Sequence, residues 1–372
     1  MPRDIVFGWT TCLTYETKEP LGFDHYSHLL DEMKENGMKR LIVMDSSHYH
    51  FDPNHQGIAR PVLNPRLKSM VDVSAVNANP STEFLSRIIE KAHNYGIEIY
   101  IEIKYSGFFG ISKAYPGIEF ATNRQGIPYH DAMKFNTKKE YLMYSQSRIC
   151  CDNNQAHQFM RDQIEDLLKV YPEIDGIVME HPDYPSSGCF CKSTQERFKY
   201  DMGISIFEAT EGQRVAWQNE RIRAVINDLV NLVKSLKKEL RFGIYSGFAP
   251  KDGNIERYQE LKGHKKETLQ RAGIDFVMPY MEGRHLDKEE IQMERVLEYM
   301  KPLTCYIHTT VRRNPPRTYP IPPKTPSYIR RIIRWFLNYY PYNSHVEGMS
   351  FFNEVNVPPE NRQAIYETIK CI

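Results

Sequence analysis

The sequence predicts an α/β fold, a (β/α)8 TIM barrel, on three observations. Short apolar, β-branched runs alternate with longer stretches whose apolar residues recur every three or four positions. There are eight of each. No Gly- or Ser-rich linker divides the 372 residues, which makes residues 1–372 a single domain, with a doubly wound open sheet as the alternative.

The strand candidates, in order, are Ile5–Trp9, Arg40–Asp45, Glu98–Lys104, Gly176–Glu180, Arg241–Ser246, Phe276–Tyr280, Leu303–His308 and Gly348–Asn353. The helical stretches are Tyr26–Asn36, Pro80–Tyr95, Asn154–Tyr171, Gly212–Lys238, Lys265–Ala272, Lys288–Met300, Ser327–Tyr339 and Pro358–Ile372. Gly96 can stop the second helix, Asp175-Gly176 can open the fourth strand, and Pro358-Pro359 can start the last helix. Two loops exceed the roughly 2–6 residues usual after a strand. Tyr105–Asn153, after strand three, is expected to fold as a lid over the C-terminal face (segment 105–153), and Pro182–Thr194 follows strand four. Both leave the barrel end that holds active sites.

Strand three is the most informative. Ile97, Ile99, Ile101 and Ile103 alternate with Glu98, Tyr100, Glu102 and Lys104, so a period of two sends the isoleucines toward the helices. Glu102 and Lys104 then point inward, where they need each other or a substrate as partner.

Composition excludes several function classes. The 48 Lys+Arg against 47 Asp+Glu leave a net charge of +1, no field for nucleic acid or an anionic membrane. The N-terminus MPRDIVFGWT lacks the features of a secretory signal and there is no run of 18 apolar residues, so a soluble, cytoplasmic protein is expected. Seven cysteines, an odd count, do not form a disulfide framework. Whether copies form a homo-oligomer stays open.

Polar and aromatic side chains at the strand ends converge on one pocket: Trp9; Asp45 and His48; Glu102 and Lys104; Glu180, His181, Asp183 and Tyr184; Tyr245; Tyr280, Glu282 and Arg284; His308; Asn353 and Glu354. Carboxylates among aromatic rings suit a polyhydroxylated substrate, since acids and histidines bind hydroxyls and ring faces cover the apolar side of a sugar. Glycoside cleavage needs one carboxyl held protonated and one ionised. Glu180, closing the apolar run Ile174–Met179, is the strongest candidate. Its partner is either Glu282 or Glu354. Trp9 reads equally as a sugar platform or as the plug of strand one.

The stretch Tyr171–Glu180, followed by Gly188-Cys189-Phe190-Cys191, Glu196-Arg197-Phe198 and Gly203, resembles the fourth-strand region of a group of uncharacterised glycoside-hydrolase-like barrel proteins. Their pattern is a Tyr-Pro, an Asp-Gly strand ending in a carboxylate, and a Cys-x-Cys-x-x-Cys element. It is specific over about Cys150–Gly203 and departs at Thr194, where a third cysteine would stand, and at Glu180, where aspartate is usual. The resemblance implies a retaining glycosidase with the fourth-strand carboxylate as nucleophile. By strand position in the similar barrels of α-galactosidases and α-glucosidases, it implies Glu282 as acid/base.

With Thr194 in place of a cysteine, no zinc is expected at Cys189 and Cys191, and no cofactor is expected elsewhere. Two rival readings are a metal-dependent sugar isomerase or epimerase, with Glu180, Glu282, His308 and Glu354 as ligands, and a non-catalytic carbohydrate-binding barrel.

Overall fold

The computed structural model of the chain describes residues 5–12, 23–44, 61–71, 82–106, 111–128, 148–180, 182–185, 188–247, 254–280, 289–311, 324–352 and 354–371. Its centre is a closed barrel of eight parallel strands in sequence order, β1 (Val6–Cys12), β2 (Arg40–Met44), β3 (Glu98–Lys104), β4 (Gly176–Glu180), β5 (Arg241–Gly247), β6 (Phe276–Tyr280), β7 (Cys305–Thr310) and β8 (Val346–Phe352), with β8 closing on β1. All eight expected strands are present, three with the expected bounds.

The main outer helices are α1 (Phe23–Glu35), α3 (Thr82–Asn94), α5 (Asn154–Val170), α7 (Glu211–Leu236), α9 (Lys266–Ala272), α10 (Glu289–Met300), α11 (Pro326–Tyr339) and α12 (Pro359–Lys370). Local signals set their ends. Asn153 caps α5 through the Ala156 amide, and Thr210 with Gln213 forms a capping box on α7. Gly96, at φ +68°, turns the chain out of α3, and Pro359 starts α12. Three helical pieces were hidden in what reads as loop, α2 (Pro65–Val71), α4 (Ile111–Ala114) and α8 (Ile255–Lys262), while α6 (Lys192–Met202) carries the Glu196-Arg197-Phe198 stretch of the resemblance as a helix. They are short, and α6 carries only two buried residues, so their periodicity is faint.

In the long segment after β3, Phe120 bridges Ile149 and Thr122 bridges Pro128, both antiparallel. The Phe190 amide donates to the Thr122 carbonyl at 2.8 Å, tying this segment to the loop after β4. Residues 129–147 lie outside the described residues.

Alternation along each strand divides two cores. Ile97, Ile99, Ile101 and Ile103 join the large outer core against the helices, while Ile42, Tyr100, Val178, Tyr245, Phe276, Met278 and Tyr306 fill the barrel. Large rings fit inside because glycines face them. A Cβ on Gly176 would lie 2.0 Å from Tyr100, and one on Gly243 would lie 2.3 Å from Phe276. Below these rings the Arg40 guanidinium sits 4.4 Å from the Tyr100 ring and 4.5 Å from the Tyr306 ring, paired with Glu98 at 2.7 Å and Glu347 at 2.5 Å. Among the described residues, no helix is long and apolar enough to cross a membrane.

Candidate active site

Above this plug the inward side chains turn polar. Lys104 and Glu180 stand opposite each other in the β3–β4 register, and Lys104 Nζ lies 2.7 Å from Glu180 Oε2. Both are buried, but Glu180 keeps 8% of its surface exposed against 1% for Lys104, so the carboxylate is the more accessible member. Glu102, one pleat below Lys104, is 2% exposed and lies on the strand next to that of Glu180. Burial first, then the charge of Glu180, push the Glu102 carboxyl well above the ordinary range, against the opposing pull of Lys104. Burial and the neighbouring Glu102 also push the Tyr245 phenol up.

Facing these groups is an aromatic wall. The Tyr245 ring lies 5.0 Å from His308 and 6.2 Å from Tyr280, in each case edge to face, and His308 lies 5.2 Å from Phe352. The structure thus brings together Glu102, Lys104, Glu180, Tyr245, Tyr280 and His308 from five successive strands. Phe352 completes the wall and was missed by sequence reasoning. The small residues Gly348 and Ser350 mark the inward face of β8 and so place Phe352 on it.

Four expected pocket residues lie elsewhere. Trp9 is fully buried in the outer layer, its ring 5.6 Å from Phe351 and its Nε1 donating to the Tyr366 hydroxyl at 3.2 Å. It faces outward because Gly8 must face inward, where any Cβ would meet the Arg40 carbonyl at 2.2 Å and the Tyr306 hydroxyl at 2.6 Å. Glu354 also turns to the helices and accepts from Thr11 at 3.2 Å and from Arg362, with His25 at 3.1 Å. Burial works against its charge, yet the His25 hydrogen bond and the Arg362 guanidinium hold its carboxyl below the ordinary value. Glu354 is therefore absent from the pocket, and the four-ligand isomerase set is not assembled.

Asp183 is clamped between Arg148 and Lys262, each at 2.7 Å, and the Tyr184 hydroxyl donates to Asp152 at 2.7 Å. These two brace the exit of β4 rather than line the pocket. His264 joins them, 3.0 Å from the Pro182 carbonyl, its pKa pushed down to about 4 chiefly by burial. Asp45, His48, His181, Glu282, Arg284 and Asn353 lie outside the described residues.

The cysteines form a second cluster. Cys150, Cys189 and Cys191 bring their sulfurs within 4.8 Å of one another, the one group among the described residues with the makings of a metal site. Thr194 Oγ1 lies 3.1 Å from Cys150 Sγ and 3.4 Å from Cys191 Sγ, and donates to Asp152 at 2.8 Å. Cys151 points away, toward the Asp183 carbonyl.

No family model matches the chain, and no curated protein matches its sequence. Solved structures do resemble it. The β-galactosidase of the Antarctic haloarchaeon Halorubrum lacusprofundi superposes with a TM-score of 0.64 at 9% identity, over 98% of this chain and 58% of that one. The β-N-acetylhexosaminidase of Bacteroides fragilis gives 0.58 at 11% identity, over 99% and 66%. The catalytic domain of β-amylase from Paenibacillus polymyxa gives 0.56 at 9% identity, over 98% and 99%. The chain spans less than two thirds of the first two and nearly all of the third, and at such identity the likeness establishes the fold: a (β/α)8 TIM barrel.

Proposed function

We propose that the protein is a carbohydrate-active enzyme that cleaves O-glycosidic bonds with retention, Glu180 being the nucleophile and Glu282 the acid/base. The observation that carries this reading is the ion-paired Glu180 at the barrel mouth, facing the wall of Tyr245, Tyr280, His308 and Phe352. The carbohydrate substrates named for the structural neighbours support it. Glu282 follows Tyr280, the last residue of β6, by two positions in the sequence.

A sugar ring laid on the aromatic wall presents its anomeric carbon to Glu180. The carboxylate oxygen bonds to that carbon while the glycosidic bond breaks, and the bonding pair leaves on the departing oxygen, which takes a proton from Glu282. Glu282, now ionised, draws a proton from water, whose oxygen displaces Glu180. Lys104 balances the negative charge of Glu180 before and after.

Glu282→Gln tests the assignment. The variant should lose activity most on substrates with poor leaving groups, keep the first step on aryl glycosides with acidic phenols, and recover turnover with azide. Wild-type activity that a chelator abolishes and a divalent ion restores would overturn the reading. Sugar binding without turnover of any glycoside would make the barrel a binding module.

A further inference from the structure

We propose that Glu102 is a positioning residue for Glu180, a carboxylic acid whose O–H donates a hydrogen bond to the carboxylate that acts on substrate. The inference rests on the assignment of Glu180 above and adds a residue to it.

The argument is one of place and charge. Glu102 and Glu180 face the barrel interior from adjacent strands, Glu102 one pleat below Lys104, whose register partner is Glu180. Among the described residues the cation paired with them is Lys104, engaged with Glu180 at 2.7 Å. From β5 the Tyr245 ring closes over this side, with His308 of β7 at 5.0 Å from it. Tyr245 brings no second positive charge. Two carboxylates in contact at that depth would leave one negative charge unbalanced, whereas a shared proton leaves one negative charge against one ammonium. Glu102, the deeper of the two at 2% exposed, is the member that carries the proton, as the direction of its pKa shift agrees.

The consequence falls on the second half of the reaction. While Glu180 is esterified it has no charge for the Glu102 proton to stabilise. When water attacks the anomeric carbon, the electron pair of the ester bond returns to Glu180 and its negative charge reappears beside the Glu102 O–H. A donor aimed at charge that develops in the transition state speeds that step.

The test compares Glu102→Leu, which removes the donor, with Glu102→Gln, which keeps it and cannot ionise. In the Leu variant deglycosylation should slow about 10- to 100-fold, so kcat and KM fall together and a burst of released phenol appears with aryl glycosides. The Gln variant should recover at least about tenfold of that loss and lack the alkaline limb that Glu102 ionisation imposes on the wild type. Infrared difference spectra of the wild type at neutral pH should show a protonated-carboxyl band that is missing in Glu102→Gln, a reading independent of activity and, taken on the wild type, of whether a variant folds. Absence of the band, or equal kcat loss in both variants with KM unchanged, overturns the proposal. A band with no glycoside turned over keeps the proton on Glu102 and discards the nucleophile assignment instead.

Discussion

Gly176→Ala puts one methyl group where the barrel has no room. The added Cβ would lie 2.0 Å from Cδ1 and Cε1 of Tyr100 and 3.0 Å from the Arg241 carbonyl oxygen. An ordinary carbon–carbon contact is about 3.5–4.0 Å, so the ring must retreat by about 1.5 Å or more. It cannot do so cheaply. Phe276 stacks on it at 5.8 Å, the Arg40 guanidinium covers it at 4.4 Å, and Arg241 Nη1 reaches its hydroxyl at 3.4 Å. Overfilling a core costs about 1–3 kcal/mol, and the upper end applies to a ring held on three sides. Restricting the unfolded chain returns about 0.4–1 kcal/mol. The net loss is about 2 kcal/mol. At about 2.1 cal/mol/K per residue the unfolding entropy of a chain this long lowers Tm by about 3 °C. Circular dichroism melts of Gly176→Ala, Tyr100→Ala and the double variant measure it, and the alanine at 176 should cost nothing once the ring is gone. An unchanged Tm for the single variant, or an equal drop in both backgrounds, refutes the steric argument.

Three further outcomes follow from the site and its surroundings. Glu180→Gln should lower turnover of aryl glycosides by at least about 10³-fold while sugar binding by calorimetry persists; residual activity above about a tenth of wild type would exclude a nucleophilic role. Thr194→Cys should turn three thiols and a hydroxyl into four thiols and retain one equivalent of zinc by elemental analysis through a chelator wash that leaves the wild type zinc-free; stoichiometric zinc in the washed wild type contradicts this. Glu354 has a lowered folded pKa, so its stabilisation is complete above its unfolded value of about 4.3 and fades as pH falls through the folded value. Glu354→Gln should therefore cost about 3 kcal/mol at pH 7 in denaturant titrations and flatten the loss of stability below about pH 4, whereas parallel pH profiles for variant and wild type would show the ion pair to be idle.

The barrel was legible because each strand carries its own period. The four isoleucines of β3 orient Glu102 and Lys104 without knowledge of any neighbour, and the apolar run of β4 delivers Glu180 at its end. Trp9 was not legible for the opposite reason. Its direction is set by Gly8 yielding to Tyr306, a residue nearly 300 positions away, and no local pattern reports that contact. Glu354 sits on a single 3-10 turn after β8, where a strand's alternation no longer applies.

The aromatic and arginine floor has a topological meaning. With Tyr100, Phe276 and Tyr306 fully buried across the barrel axis and Arg40 beneath them, the described residues close the barrel interior at this end. A long polymer cannot thread through it. On the reading proposed above, a polymeric substrate would offer its end to Glu180 or lie across the rim.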